Sequence, residues 1–512
     1  MASVQSIKGG AMFSLKMTLV LATLASVLSF GYFLGQDLIA TYPDGMSHLM
    51  IAKRTCASLT PNPQQLGNVW LPLPHILLMP LVCPNDYLYQ NGIAGSLLSM
   101  FSYLLAVVFI YKTVYTLTEN TKAAFVGAFV FGANLNVLYM QSIPMTELVL
   151  FATIAGSLYY LVRWNQSQND IHLFLSSVAM GLSVWTRYEA WIFFLGFIGS
   201  LVLSSIKYRF SFVKAVATLL FWSVIPGFLI VLWFLWNAVY FLPHDPLGFT
   251  RGEYAAPSNW VSISEPVIGN LDIAFQTYFL ATLHNIGLPI LILGCLAGIY
   301  FVVDTKLRPT ALVAFVPLAI FPFFVFMLYT GQRPLHIEEV TGDLYNSRFA
   351  LQMIIPTAIL IGYMAKVRGI TYVVLTMVIV GSLMGSTKVI TLDEAVVFQQ
   401  DRKTIAQDRE GYWIAEHYDD GRILMEVYGN EIPLFRLGPA ISNIVWEGTY
   451  LLWDEALADP DKVEVKWVFM RKGNGGFTAD KVWKVFQEHP DRLKDYQLVH
   501  KSDLVEIYKR KE

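Results

Sequence analysis

The chain has 512 residues, of which 55% are hydrophobic and only 14% are charged, and its formal net charge is −2. Because roughly a quarter of the residues in an average soluble domain are charged, most of this chain is expected to face lipid rather than water. The near-neutral charge, without basic runs, zinc-finger spacings or Gly-rich phosphate loops in the sequence, argues against a nucleic-acid partner.

Long apolar segments dominate the first three quarters of the chain. A helix needs about twenty apolar residues to cross the hydrocarbon of a bilayer, and this criterion predicts about eleven transmembrane helices. The first segment could be taken for a signal peptide, but its length favours a retained span. The predicted spans lie near residues 16–36, 93–115, 123–141, 146–163, 171–186, 190–206, 213–241, 276–303, 309–330, 349–365 and 369–390.

After residue 390 the composition changes abruptly, because charged residues become frequent. Helical periodicity runs through 393–418, and residues 449–457 and 479–488 also look helical. The segments 421–429, 465–470 and 503–509 have the pattern of strands. The sequence therefore predicts an all-α polytopic membrane bundle over residues 1–390, followed by a small soluble α/β domain over residues 391–512.

The loops between the predicted spans differ in charge. Lysine and arginine are more frequent in the set of loops that shares a side with the N-terminus, so the N-terminus is predicted to be cytoplasmic. Eleven crossings then place the C-terminal domain on the extracytoplasmic side, where most of the acidic loop residues also lie. Cys56 and Cys83 share one outer loop, and they could form a disulfide in an oxidising compartment or remain two buried free thiols.

The first outer loop combines a carboxylate, imidazoles and cations. If a helix follows Pro43, Asp44 and His48 lie on one face of it, and Arg54 follows within a few turns. Asp44 could instead serve only as the N-cap of that helix. Further along the loop, Trp70 and His75 suit the shaped wall of a substrate site, and they equally suit an interfacial anchor.

Two short outer connections also carry charge. Glu147 begins a lipid-embedded helix, where a carboxylate is costly and suggests function, although the helix dipole also favours negative charge there. Arg187 and Glu189 lie in the next short outer turn. They form either an ion pair at the membrane interface or a site in which the planar guanidinium group of Arg187 binds a phosphate.

Two longer outer loops, residues 242–275 and 331–348, are polar enough to cover a cavity or bind substrate, and ordinary solvated loops would look similar. Their candidate substrate-binding residues are Arg251, Arg333, His336 and Arg348. Histidines and carboxylates together could bind a divalent ion, but no spacing is diagnostic of a metal site.

The order of these features resembles the GT-C superfamily of polytopic glycosyltransferases. An acidic residue follows the first span (Asp44), a carboxylate lies at the next short outer turn (Glu147), and an arginine-containing outer turn comes later (Arg187). Within the superfamily, residues 16–390 are most similar to the branch of protein O-mannosyltransferases and aminoarabinose transferases. The resemblance implies a polyprenyl-phosphate-linked sugar donor within the membrane lipid, and a glycan, lipid or protein as acceptor.

The resemblance also implies roles for individual residues. Asp44 would act as general base in an inverting displacement, with Glu147 as a second catalytic carboxylate. The outer arginines, among them Arg187, Arg333 and Arg348, would hold the phosphate of the donor. Positive charge around this leaving group would make a metal ion dispensable.

Two other classes of function remain as alternatives. A transporter or flippase of a lipid-linked substrate would carry ionisable residues near the middle of the membrane and repeated halves, and neither is evident in the sequence. A membrane scaffold that binds a partner through its C-terminal domain would leave the acidic residues of the outer loops unexplained.

Overall fold

The structure is a computed structural model that describes residues 13–245, 247–248, 265–306, 308–385, 388–449, 451–473 and 478–511. Arg251, one of the predicted substrate-binding residues, lies outside these residues. The chain divides into two compact units. The helical unit contains Met1–Leu38, Trp70–Leu73 and Ser96–Glu394, and the sheet unit contains Ile39–Val69, Pro74–Gly95 and Ala395–Glu512. The predicted domains, divided at residue 390, stay a prediction.

Apolar helices form nearly all of the helical unit. They are Leu15–Gly35, Ile93–Thr118, Thr121–Gly132, Leu135–Met140, Glu147–Ser167, Asp170–Val184, Ala190–Lys207, Phe212–Tyr240, Leu271–Ile286, Leu288–Thr305, Pro309–Phe315, Ile320–Tyr329, Ile354–Met364 and Ile370–Gly385, with 3-10 turns at Val316–Ala319 and Ser347–Met353. The described part of the chain contains seven helical segments long and apolar enough to cross a membrane, and four shorter apolar helices. The prediction that this part of the chain is a bundle of apolar helices is confirmed. The count of eleven spans stays a prediction.

Two predicted spans are wrong as single helices. One is 123–141, which consists of the helices Thr121–Gly132 and Leu135–Met140, separated at Ala133 and Asn134. The other is the span 276–303. It consists of the helices Leu271–Ile286 and Leu288–Thr305, which are separated at Gly287 with φ of +86°. The first helix begins near the Gly269 amide, which donates to the Tyr329 carbonyl (2.9 Å), and it ends near His284, 2.7 Å from Glu339. Both ends therefore contact residues at the predicted outer side, and only the second helix has the length to cross.

Two glycines allow a close approach of helices inside the bundle. A Cβ at Gly362 would lie 2.9 Å from the Cα of Gly127 and 2.9 Å from a methyl carbon of Val114. Small residues let helix backbones pack closely in lipid, where no hydrophobic force drives helices together. The helices Thr121–Gly132 and Ile354–Met364 therefore meet through their glycine-bearing faces.

The sheet unit is built on a five-stranded mixed sheet with the order β2-β1-β3-β5-β4. The strands are β1 (Arg422–Leu424), β2 (Ile444–Val445), β3 (Val465–Arg471), β4 (Tyr496–Lys501) and β5 (Val505–Arg510). β1 pairs in parallel with β2 and β3, and β5 pairs antiparallel with β3 and β4.

Short helices cover this sheet and bury its apolar side chains. The helices after the membrane spans are Ile390–Gln400, Arg402–His417, Glu431–Arg436, Leu451–Ala458 and Lys481–Glu488. Val468 and Met470 of β3 pack with Val482 and Phe486 in the core. The predicted α/β character of this region is confirmed, and three of the predicted strands correspond to β1, β3 and β5.

The predicted strand 421–429 is too long. The strand ends at Leu424, and the Met425 amide makes a last bond to the Val445 carbonyl (3.1 Å). The amides of Val427 and Tyr428 donate to the carboxylate of Glu447, at 2.9 and 3.0 Å, instead of to a neighbouring strand. Gly429 then turns the chain with φ of +77°. β2 and β4 were not predicted, since two residues are too few to show an alternation and β4 is mostly exposed.

The first outer loop folds within the sheet unit. It forms the helix Pro43–Arg54 that was expected after Pro43, and a disulfide joins Cys56 to Cys83. Of the two alternatives for these cysteines, the disulfide is therefore the observed one. The ring of Tyr89 packs edge-on against Phe435, with 5.6 Å between centroids, which joins this loop to the C-terminal part of the same unit.

Candidate functional site

Glu147 lies at the centre of a buried charge cluster in the helical unit. It is the first residue of the helix Glu147–Ser167, and no part of it is exposed. Its Oε1 accepts hydrogen bonds from Arg187 (3.0 Å) and Arg348 (3.2 Å). Two cations from distant parts of the chain therefore share one carboxylate oxygen.

Arg187 lies in the short turn between the helices Asp170–Val184 and Ala190–Lys207. Besides Glu147, its guanidinium group donates to the Thr146 hydroxyl (2.9 Å) and to Glu189 (3.0 Å). Burial acts to lower the pKa of Arg187, but the charges of Glu189 and Glu147 raise it above the ordinary value. Arg187 is thus held as a permanent cation.

Arg348 connects Glu147 to a third glutamate that the sequence analysis did not single out. Its Nη1 donates to Glu394 (3.2 Å), which also accepts from the amides of Asn346 and Ser347, both at 2.8 Å. Burial raises the pKa of Glu394, while Arg348 and these hydrogen bonds act to lower it. The Asp-Glu pair in the apolar segment ITLDEAVVF is the signal that could have pointed to this residue.

The cluster retains hydrogen-bonding capacity. Within the described residues, Glu147 Oε2 and Arg187 Nε are buried and have no hydrogen-bond partner. A third cation, Arg333, lies with its guanidinium carbon 5.6 Å from the ring centroid of Tyr188. Burial acts to raise the pKa of Glu189, but Arg187 and Arg333 lower it overall. Guanidinium groups bind phosphate through paired donors, so this arrangement can hold an anionic group.

His336 has both ring nitrogens engaged. Nδ1 lies 2.9 Å from Asp343 and Nε2 lies 3.0 Å from Glu265. The backbone of His336 also pairs with Tyr345. The backbone and side-chain contacts of His336 together stabilise the segment that leads to Arg348. Its predicted role in substrate binding stays a prediction.

Asp44 lies in the sheet unit, in the first turn of the helix Pro43–Arg54, and is half-buried. The N-cap of this helix is Tyr42, so Asp44 is not the cap residue that the alternative interpretation required. The negative charge of Asp44 adds to burial in raising the pKa of Glu431. A second carboxyl group of the sheet unit is therefore near Asp44.

Three other candidates of the first outer loop, His48, Arg54 and His75, are buried in the sheet unit. His48 Nδ1 lies 2.9 Å from His75 Nε2. The Arg54 guanidinium carbon lies 4.1 Å from the ring centroid of Trp446. Burial lowers the pKa of Arg54 to about 10. Trp70 belongs to the helical unit and is half-buried.

The structure thus brings together Glu147, Arg187, Glu189 and Arg348 in one unit, and Asp44, His48, Arg54 and His75 share the other. Among the residues that the structure describes, no group of three or more histidines, cysteines and carboxylates is arranged to hold a metal ion.

Comparison with known proteins identifies the fold. No family model and no curated protein matches the sequence. Among solved structures, the chain is similar to ArnT from Cupriavidus metallidurans bound to undecaprenyl phosphate, with a TM-score of 0.58 and 13% identity over 96% of this chain and 97% of that one. The apo state of the same protein matches with a TM-score of 0.54 and 13% identity, over 94% and 97%. The chain therefore has the fold of these solved ArnT structures.

Proposed function

We propose that this protein is an integral membrane glycosyltransferase that moves a sugar from a polyprenyl-phosphate donor to a hydroxyl group of a glycan, lipid or protein. The observation that carries the proposal is the buried cluster of Arg187 and Arg348 around Glu147. It occurs in a chain whose fold matches an ArnT structure that contains undecaprenyl phosphate.

In the proposed reaction, the phosphate of the donor binds near the guanidinium groups of Arg187, Arg348 and Arg333. When the bond between the anomeric carbon and the phosphate oxygen breaks, negative charge develops on the phosphate. Fixed cations in a water-poor site stabilise this charge and need no reorganisation during the reaction. The same cations make a metal ion dispensable for departure of the leaving group.

Asp44 is proposed as the general base. The acceptor oxygen forms a bond to the anomeric carbon on the face opposite the phosphate, and its proton passes to the Asp44 carboxylate. The configuration at the anomeric carbon is inverted. Glu147 is proposed to act mainly as a positioning residue, since its Oε1 already accepts from two arginines.

The reaction is proposed to take place on the extracytoplasmic side, with the N-terminus in the cytoplasm. The Cys56–Cys83 disulfide supports this orientation, because disulfides persist in oxidising compartments and are rare in the cytosol. The second support is the excess of lysine and arginine in the loops assigned to the cytoplasm.

The test is a transfer assay with the purified full-length protein and a panel of polyprenyl-phosphate sugars, in which released polyprenyl phosphate is measured. Asp44→Asn is expected to lower the rate by about 100-fold or more, the usual contribution of a general base. Asp86→Asn is the matched control, since Asp86 is an exposed carboxylate of the same unit that pairs with Lys53. Wild-type activity in Asp44→Asn would remove Asp44 from the mechanism, and no transfer from any donor would contradict the proposed function.

A further inference from the structure

A cavity of about 520 Å³, including its open mouth, lies in the helical unit, and none of the residues that line it is Glu147, Arg187, Arg348 or Glu394. Its lining combines the carboxamides of Asn136 and Asn285 with aliphatic side chains such as Ile290 and Val378. These residues come from the ends of four helices or their adjoining turns, and from the body of the helix Ile370–Gly385. The cavity is therefore amphipathic, with polar and apolar walls in one space.

Asn285 presents an unused acceptor in this lining. Its amide nitrogen donates to the carbonyls of Ala281 (2.9 Å) and Ser347 (2.8 Å), which fixes the orientation of the side chain. Its Oδ1 is buried and has no hydrogen-bond partner within the described ranges, and the residue is only 1% exposed. Because a buried acceptor without a donor is costly, the cavity suits a ligand that brings a hydroxyl or ammonium group.

Charged side chains line or border the same cavity. Lys388 lines it, and its ammonium nitrogen lies 3.2 Å from Glu338. His284 also lines it and lies 2.7 Å from Glu339. An ammonium group is a compact cation that binds phosphate, and the two glutamates can accept from a headgroup donor.

The helices beside the cavity present apolar side chains outward. Leu288 is 57% exposed on the helix Leu288–Thr305, and Ile379 is 49% exposed on the helix Ile370–Gly385. In a membrane protein, such surfaces contact the acyl chains of lipids. A lipid in contact with these helices therefore has its acyl chains beside the aliphatic wall and its headgroup beside Lys388 and Asn285.

We propose that this cavity binds a glycerophospholipid whose headgroup carries a hydroxyl or ammonium donor. Its phosphate pairs with Lys388, and its headgroup donor satisfies Asn285 Oδ1. Asn285 also donates to the carbonyl of Ser347, the residue before Arg348. A lipid bound to Asn285 therefore stabilises the position of the segment that carries Arg348. The site is separate from that of the sugar donor and does not depend on the proposed transferase activity.

The test measures lipid retention by the full-length protein in detergent, using native mass spectrometry with dioleoylphosphatidylglycerol as the probe. Gly381→Phe should fill the apolar part of the cavity, since a Cβ there meets only Pro289, at 3.9 Å. Gly227→Phe is the matched control, because a Cβ at Gly227 meets nothing within 4 Å. Lys388→Gln is a milder second variant that removes only the charge.

The wild type and Gly227→Phe should each retain one phosphatidylglycerol. Gly381→Phe and Lys388→Gln should bind it about tenfold more weakly, a difference of about 1.4 kcal/mol. Equal retention by all four proteins would overturn the proposal, and so would stronger binding of undecaprenyl phosphate than of phosphatidylglycerol at this cavity. Arg187→Lys should retain the lipid even if transfer is lost, which separates this proposal from the transferase function.

Discussion

Arg348 joins two buried carboxylates that lie far apart in the sequence. Its Nε donates to Glu147 and its Nη1 to Glu394, both at 3.2 Å, and all three side chains are nearly inaccessible to solvent. Loss of one partner from a buried ion pair costs about 3–5 kcal/mol, because the remaining charge is uncompensated. The planar group of arginine can reach both carboxylates at once, whereas the single ammonium group of lysine cannot match this geometry.

Arg348→Lys is therefore expected to keep the positive charge but to lose the simultaneous contacts with Glu147 and Glu394. Transfer should fall by about 100-fold, since a small misplacement of a binding group can cost this factor. The measurement is kcat and KM with a polyprenyl-phosphate sugar. Arg510→Lys, which alters an exposed pair with Asp461 at 2.8 Å, should leave both constants unchanged. Unaltered kinetics in Arg348→Lys would show that its two contacts are not needed for transfer.

Glu447 makes the stability of the sheet unit depend on pH. Burial raises the pKa of its carboxyl group from 4.5 to about 7, although it accepts the amides of Val427 and Tyr428. The folded state thus binds a proton more tightly than the unfolded state. This contribution to stability is fully present below pH 4.5 and is lost as the pH rises to 7.

Glu447→Gln should remove that pH dependence. In the wild type, the contribution of this group should fall by up to about 3 kcal/mol between pH 4.5 and 7, and the variant should show a correspondingly flatter profile. Hydrogen exchange of β3 amides in the full-length protein measures the effect, after correction for the intrinsic exchange rates. Glu455→Gln is the control, because Glu455 is a half-exposed carboxylate that pairs with Lys462. Identical pH profiles for wild type and Glu447→Gln would refute this account.

Residue types and their positions pointed to part of the charge cluster. Glu147 and Arg187 stood out because charge is costly at the ends of short connections between lipid-embedded helices. Glu394 did not stand out, because it begins a region where charged residues are common. The acidic pair in an apolar segment could mark Glu394 as a candidate, but it does not show the partners. The contacts with Asn346, Ser347 and Arg348 join distant parts of the chain, and no local pattern reveals them.

Among the helices, the pair that meets at Gly127 and Gly362 packs closely enough for a substitution to test the contact. A Cβ at Gly362 would come within 2.9 Å of the Gly127 Cα, a separation that real Cβ atoms do not adopt. The backbones would have to move apart, and the surrounding side chains would lose packing contacts.

Gly362→Val is therefore expected to destabilise the bundle by about 1–3 kcal/mol or more, the usual cost of overpacking. Survival of the folded protein on gel filtration after heating measures the change. Gly227→Val adds the same side chain in open space and should behave as the wild type. Equal heat resistance of the two variants would contradict the close approach of the two helices.

The Cys56–Cys83 disulfide ties the end of the helix Pro43–Arg54 to the residue after Leu73–Val82. A disulfide that closes a loop of this length stabilises by about 3–4 kcal/mol in the chain-entropy account. After denaturation without reductant, a maleimide reagent should label one thiol per chain, that of Cys295, and three after reduction. Labelling of three thiols without reductant would contradict the disulfide and remove its support for the proposed orientation.

Hydropathy located most of the apolar helices but missed the breaks within two predicted spans, 123–141 and 276–303. The segment around Gly287 is apolar on both sides, so a composition window sees one span. The break requires a positive φ, and a glycine followed by Pro289 in the first turn of the next helix is the local signal for it. Strands as short as β2 carry no periodicity, so only the three-dimensional packing reveals them.

At the scale of the whole molecule, the fold is that of a solved ArnT structure over nearly its full length, although only 13% of the residues are identical. The order of the acidic and arginine-containing outer turns predicted this fold. The order was informative because the positions of these turns depend on where the chain crosses the membrane. The same order does not specify the sugar or the acceptor of the proposed reaction, since one fold can carry different functional sites.

The proposed reaction depends on the two arginines that contact Glu147. Arg187 and Arg348 both belong to the helical unit. We expect them to hold the phosphate of one bound donor.

A structure of the full-length protein with bound polyprenyl phosphate would show whether they do. The phosphate is expected within about 3 Å of a guanidinium nitrogen of Arg187 or Arg348. A phosphate bound away from both arginines would show that they do not hold the donor.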